Sequence, residues 1–124
     1  MNETTTPAFT QIMEGDVLIS TWGYDQTNVN FYMVTRRTAK QVTLQRLGNA
    51  VVRQEHFLAE SVVPNFEPYS IYALDPETGE RVLAVMGPIR RAVKTYRDEE
   101  YVNVSDHSSA RLWKGNSVLQ THTH

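Results

Sequence analysis

The sequence predicts a mainly β chain with antiparallel pairing and at most one short helix. Three observations predict it. Apolar runs are short and rich in Val, Ile, Phe and Tyr, the side chains that fit a pleated surface. Gly, Pro, Asn and Asp punctuate those runs at short intervals. Residues 41–47 set apolar Val42 and Leu44 against polar Thr43 and Gln45, a period of two.

Residues 1–10, with Thr4, Thr5, Thr6 and Pro7, are poor in core-forming side chains and read as a flexible lead-in, leaving 11–124 as a single β-rich domain. Residues 16–21 bring Val17, Leu18 and Ile19 to a first strand, residues 31–36 bring Phe31, Tyr32, Met33 and Val34 to a second, and 41–47 form a third. Arg37, Thr38, Ala39 and Lys40 have the length of a hairpin connection, whereas the first two strands are separated by a polar and aromatic loop over 22–30. Residues 50–63 are the one helix candidate, with Val51, Val52, Phe57 and Leu58 as a partial apolar face that the β-branched residues weaken. Pro64 and Pro68 then impose extended backbone on the residues before them.

Residues 69–74 and 81–85 flank a turn-forming stretch containing Pro76 and Gly79, which makes a second hairpin. A strand over 89–95 follows Gly87-Pro88, and Tyr101, Val102 and Val104 follow the acidic turn Asp98-Glu99-Glu100. Leu112 and Trp113, a tight turn at Lys114-Gly115-Asn116, and Val118 and Leu119 close the chain. The sum is about seven or eight short strands. A strand, a long polar loop and a tight meander is how a small Tudor-like β-barrel begins; a strongly curved sheet is the alternative.

At 124 residues, 40% hydrophobic and 21% charged, the chain has the material for one modest core and one site. Its 12 Lys+Arg against 14 Asp+Glu give a formal net charge of -2, so no global positive field draws it to nucleic acid. Cysteine is absent, which removes thiol nucleophiles and thiolate metal sites and fits a reducing compartment. No apolar run approaches the ~20 residues of a membrane span, and residues 1–9 lack the charged head and apolar stretch of a signal peptide. A cytoplasmic protein without a membrane partner is expected. No Walker loop, G-x-S-x-G, H-E-x-x-H or dinucleotide fingerprint occurs, so no cofactor or metal is expected and catalysis has no positive support. Ser105-Asp106-His107-Ser108 holds the residue types of a nucleophile system, but adjacency is not triad geometry and it reads as a solvated loop. His122 and His124 read as a chain end rather than a metal site.

The charges come in blocks. Glu3, Glu14, Asp16 and Asp25 precede a basic block of Arg36, Arg37, Lys40, Arg46 and Arg53; Glu55, Glu60, Glu67, Asp75, Glu77 and Glu80 follow. A second basic block of Arg81, Arg90, Arg91, Lys94 and Arg97 precedes Asp98, Glu99, Glu100 and Asp106. On neighbouring strands the two basic blocks make a positive stripe for phosphates or an acidic protein; the alternative is that basic and acidic strands compensate one another. Arg36, Arg37 and Lys40 surround one turn, and strand alternation sets Arg91 and Arg97 on one face and Arg90 and Lys94 on the other.

The most distinctive stretch runs from Ser20 to Tyr32. Trp22 and Tyr24, with Tyr32, suit a stacking platform or cation cage, while Asp25, Gln26 and Asn28 offer hydrogen bonds to a ligand edge. The other reading has Trp22 and Tyr24 capping the core while Asp25, Thr27 and Asn28 satisfy the loop's own backbone.

Gly15-Asp16-Val17-Leu18, then Ser20-Thr21-Trp22-Gly23-Tyr24-Asp25-Gln26-Thr27-Asn28 and Phe31-Tyr32-Met33-Val34, resembles a family of small uncharacterised proteins of bacteriophages and other bacterial mobile elements that carry a GD…SWGYDQTN…FY.V segment. The tail Ala110-Arg111-Leu112-Trp113-Lys114-Gly115-Asn116 followed by Thr121-His122 is similar to that family's close, where an acid usually replaces Lys114 and a proline replaces Ser117. The resemblance implies a context and no activity: a bacterial cytoplasm, in the service of a mobile element. The function expected there is a non-enzymatic accessory protein that binds and blocks a macromolecular partner, such as a host defence or regulatory protein. The alternatives are a nucleic-acid binder using the basic strands, and a small-ligand-binding protein or enzyme using the 22–30 loop.

Overall fold

Alternating apolar and polar residues, cut by turns too short for a crossover, allow little but antiparallel pairing. The computed structural model describes residues 11–23 and 26–121 and shows that outcome. Its strands are β1 (Val17–Trp22), β2 (Asn28–Arg37), β3 (Gln41–His56), β4 (Ala59–Pro68), β5 (Ser70–Leu74), β6 (Arg81–Val85), β7 (Ile89–Tyr96), β8 (Glu99–Ser105), β9 (Ser108–Leu112) and β10 (Val118–Thr121), with no helix among the described residues. One large, strongly curved sheet takes eight of them, and β5 and β6 pair only with each other. Within the large sheet β1, β2, β3, β7, β8 and β9 pair round in a ring.

The length of β3 makes this possible. Its 16 residues pair with β7 at 41–44 and, from Leu47 to His56, with β4, whose other edge carries β10. At Gly48 the Asn65 side chain lies against the backbone, where a Cβ would stand 2.7 Å from its amide nitrogen. The ring and the β3–β4–β10 layer bury opposite faces of β1 and β2. Leu18, Tyr32, Val34, Val42, Leu44, Val102, Val104 and Ala110 fill the ring around Ile12. Val17, Val29, Phe31, Leu47 and Val62 form a second core on the outer face, where Trp113 meets Phe31 edge-on at 5.8 Å. Two buried faces explain why residues 17–19 and 31–34 read as unbroken apolar runs.

One end of the ring is plugged by an ion pair. Arg37 Nη1 donates to Glu100 Oε1 at 2.7 Å and to the Ile12 carbonyl at 2.9 Å, and the Ile12 amide donates to Glu100 at 2.8 Å. Glu100 is only 6% exposed. The hydrogen bond from Arg37 holds its carboxyl below the usual range, with help from the Ile12 amide and against the opposing pull of burial.

Several expectations are corrected. Residues 50–63 are not a helix but the two arms of the β3–β4 hairpin, turning at Phe57-Leu58. Their β-branched residues fit the strand, and β10 supplies the partner that local sequence does not reveal. The 22–30 loop shrinks to 23–27, because Trp22 and Asn28 still pair. β9 was hidden because Ser108, Ser109 and Arg111 leave it only Ala110 and Leu112 as apolar residues.

Arg37 does not belong to the basic surface. Simple alternation from Val34 would turn Arg36 inward and Arg37 outward, but the register shifts between Val34 and Arg36, so Thr35 is bulged out and the two arginines exchange faces. Arg91 and Arg97 do not share a strand face either. β7 ends at Tyr96, and Arg97 and Asp98, with φ of 53° and 64°, form the two-residue turn into β8. Arg91 is half-buried on the side of Ile89 and Val93, whereas Arg97 lies at the turn with its guanidinium over Tyr96 at 5.3 Å.

Candidate functional site

The end of the ring away from Arg37 and Glu100 is open. The alternation that sends Leu18 into the core sends Ser20 and Trp22 along the same face of β1. On β2 the same face carries Asn30 and Tyr32. The β8–β9 hairpin closes the far side with Val104, Ser105, His107 and Ser108. Together with Trp22, Gly23, Asn30 and Tyr32 these residues line a cleft of about 510 Å³.

Trp22 stands at its rim, 47% exposed. Tyr32 is part of the wall, buried in the ring core, and is not a free stacking platform. Ser20, opposite Asn30 on the neighbouring strand, is 1% exposed and its hydroxyl has no hydrogen-bond partner. Burying a hydroxyl without a partner costs on the order of 1–3 kcal/mol. Asn30 accepts from Arg46 Nη2 at 2.9 Å, while the Arg46 guanidinium lies 3.9 Å over the Tyr69 ring and its Nε is unpartnered.

The described polar residues of the loop hydrogen-bond to the flanking strand and to β10. Gln26 Nε2 donates to Asn28 Oδ1 at 3.0 Å, and the Thr27 amide donates to Thr121 Oγ1 at 2.7 Å, which ties the loop to β10. Gly23, at φ 131°, cannot be replaced without collision, since a Cβ there would run into the Gln26 carbonyl. Tyr24 and Asp25 lie outside the described residues. Of the sequence-derived candidates, Trp22 and Tyr32 meet in the cleft, and Gln26 and Asn28 close the loop beside it.

Val104, Ser105, His107 and Ser108 form a wall of the cleft, whereas the sequence marks Ser105 to Ser108 only as a solvated loop and Val104 only as a strand residue. The Ser105 and Ser108 hydroxyls bond each other at 2.8 Å, and the His107 amide donates to Ser105 Oγ at 3.3 Å. The hydroxyls thereby close a tight turn. The His107 imidazole makes no hydrogen bond with the described residues. What the cleft offers chemically is an indole face, an amide, the hydroxyls of Tyr32, Ser105 and Ser108 and one imidazole, with no carboxylate or ammonium group in the lining. Among the described residues no three His, Asp or Glu come together as metal ligands, and no helix is long and apolar enough to cross a membrane.

The basic residues lie elsewhere. Arg36 and Lys40 are exposed around the β2–β3 turn, at the plugged end of the ring, and Arg90 and Lys94 are exposed on β7. Comparison of the chain with family models, curated proteins and solved structures gives no match.

Proposed function

We propose that this is a non-catalytic binding protein that engages a macromolecular partner at the open mouth of its ring. The observation that carries this reading is Trp22, half exposed over a cleft with apolar walls and a few convergent polar groups. A rigid indole beside a concavity is the arrangement in which single interface residues contribute most to affinity. The cleft suits an apolar or aromatic side chain of the partner, with Asn30 at its edge. In the setting implied by the phage-like GD…STWGYDQTN segment, the protein acts in the cytoplasm of a bacterial host, where it occupies and blocks a defence or regulatory protein.

A second reading is favoured by a specific observation. The His107 imidazole, in the lining of the cleft and without a hydrogen bond to the described residues, is a group that a small ligand with a hydrogen-bonding edge would engage, and in that reading the same cleft sequesters a small molecule.

One experiment separates the two. Tagged protein and its Trp22→Ala variant are incubated in bacterial lysate, and the eluates are analysed for proteins and nucleic acid while native mass spectrometry weighs the purified chain. A protein retained by the parent and lost by the variant supports the blocking reading. Extra mass lost on the same substitution supports the small-ligand reading. Equal retention of every species by parent and variant removes the cleft from the account.

A further inference from the structure

A second concavity lies on the outer face of the sheet at the plugged end of the ring. Arg36 on β2 is opposite Thr43 on β3, and Thr43 is opposite Arg90 on β7, so the three form a row across three paired strands. Residues opposite one another share a face, which places the two arginines on either side of a small hydroxyl residue with ~10 Å between their backbones. The Thr35 bulge is what brings Arg36 to this side. Arg36, Thr38, Gln41, Thr43 and Arg90 line a cleft of about 150 Å³ between them, without a carboxylate or an aromatic ring.

Neither guanidinium has an ion-pair or hydrogen-bond partner among the described residues. Of the carboxylates at this end, Glu14 accepts the Arg37 amide at 3.0 Å, Glu100 accepts its guanidinium and Glu99 pairs with Arg111. Lys40, exposed in the connecting turn beside Gln41, adds positive charge to this end of the sheet. Two like charges directed at one cleft without a counter-charge repel each other, and an anion between them turns that repulsion into two charge-assisted hydrogen bonds.

We propose that this cleft binds a phosphoryl oxyanion, held between the guanidiniums of Arg36 and Arg90 with the Thr43 hydroxyl as a third donor. The volume suits one tetrahedral anion, and the lack of a ring to stack on means that charge and shape alone are recognised. The site stands apart from the Trp22 cleft and does not depend on its role. The phosphoryl group belongs either to a small phosphomonoester or to a nucleic-acid backbone.

The test is a titration of the full chain with inorganic phosphate at constant ionic strength, read by amide and arginine side-chain NMR. Saturable shifts centred on Arg36, Thr43 and Arg90 are expected, with Kd on the order of 1 mM. Arg36→Gln and Arg90→Gln should each weaken binding about tenfold, and Arg97→Gln should leave it unchanged. A short single-stranded oligonucleotide then distinguishes the source. If it displaces phosphate, with an affinity that falls steeply with salt and on Arg36→Gln, the source is a backbone phosphodiester; if phosphate stays bound, it is a small phosphomonoester. No saturation below ~50 mM phosphate, or equal weakening by Arg97→Gln, overturns the proposal.

Discussion

The ring and the β5–β6 hairpin are made of the same kinds of residues under opposite circumstances. In the ring each strand has a neighbour on both sides, and along β1 and β2 both faces are covered, so Leu18 and Phe31 are fully buried. β5 and β6 pair only with each other, and Leu74 and Leu83 are 68% and 62% exposed. Apolar side chains on a strand therefore do not by themselves make a core. A second layer must arrive to cover them, and at the hairpin none does among the described residues. An isolated two-stranded hairpin is marginal in water. This one is held at its base, where the Tyr69 amide donates to the Arg46 carbonyl at 2.8 Å, the Met86 amide to the Tyr69 carbonyl at 2.7 Å, and Gln45 Nε2 to the Met86 carbonyl at 2.7 Å.

The sharpest way to break the comparison is to delete an anchor of the outer core, on the strand that both layers cover. Phe31→Ala removes the residue that meets Trp113 edge-on and should cost about 3–5 kcal/mol in chemical denaturation. A loss below ~1 kcal/mol would mean that the outer core is not packed as described. The next largest effect should come from the ring's plug. Glu100→Ala strands the Arg37 guanidinium and should cost about 3 kcal/mol.

The pH dependence of that plug has a definite sign. Glu100 has a folded-state pKa below its ordinary value of 4.5, so its contribution is complete above that value and fades as pH falls through the lowered one. Glu100→Gln should remove that part of the acid slope. An unchanged slope in the variant would show that other carboxylates carry acid sensitivity.

A smaller effect of the opposite sign is expected at the β7–β8 turn. Arg97 holds φ at 53°, which glycine adopts without strain, so Arg97→Gly should raise stability by about 0.5–1 kcal/mol; a loss would show that the side chain contributes more than its strain costs. The smallest change should come from the hairpin, where Leu83→Ala should fall within ~0.5 kcal/mol. Hydrogen exchange on the parent should find β5 and β6 amides opening well before those of the ring. A large cost at Leu83, or equal protection, would mean that the hairpin is covered in solution.

Much of this fold is legible in the sequence wherever strands pair with near neighbours. Residues 69–85 announce their hairpin through Pro76 and Gly79, and residues 31–47 theirs through two apolar runs around a short polar connection. What local pattern cannot supply is the distant partner. Val51, Val52, Phe57 and Leu58 fit a helix face as well as a strand until β10 arrives from the other end of the chain to pair with β4. The cleft divides in the same way. Trp22 and Tyr32 stand out by composition, but the wall from Val104 to Ser108 comes opposite them only because β9 pairs with β1. The exchange of Arg36 and Arg37 is invisible for another reason: a single-residue bulge reverses facing without any residue type that marks it.

The closure of the ring also sets an order of events in time. Leu18 pairs with Leu112, so the first strand waits for the ninth before one of its edges is satisfied. At a synthesis rate of ~5–20 residues per second, roughly 5–20 s separate the two strands as they emerge. During that interval β3 can cover the far edge of β2, but the free edge of β1 has no partner and is open to mispairing with another nascent chain. Ring closure joins strands about 94 residues apart in sequence, so its loop-closure cost is met before its contacts form, and β9, with its serines and single buried alanine, is the strand that completes the ring.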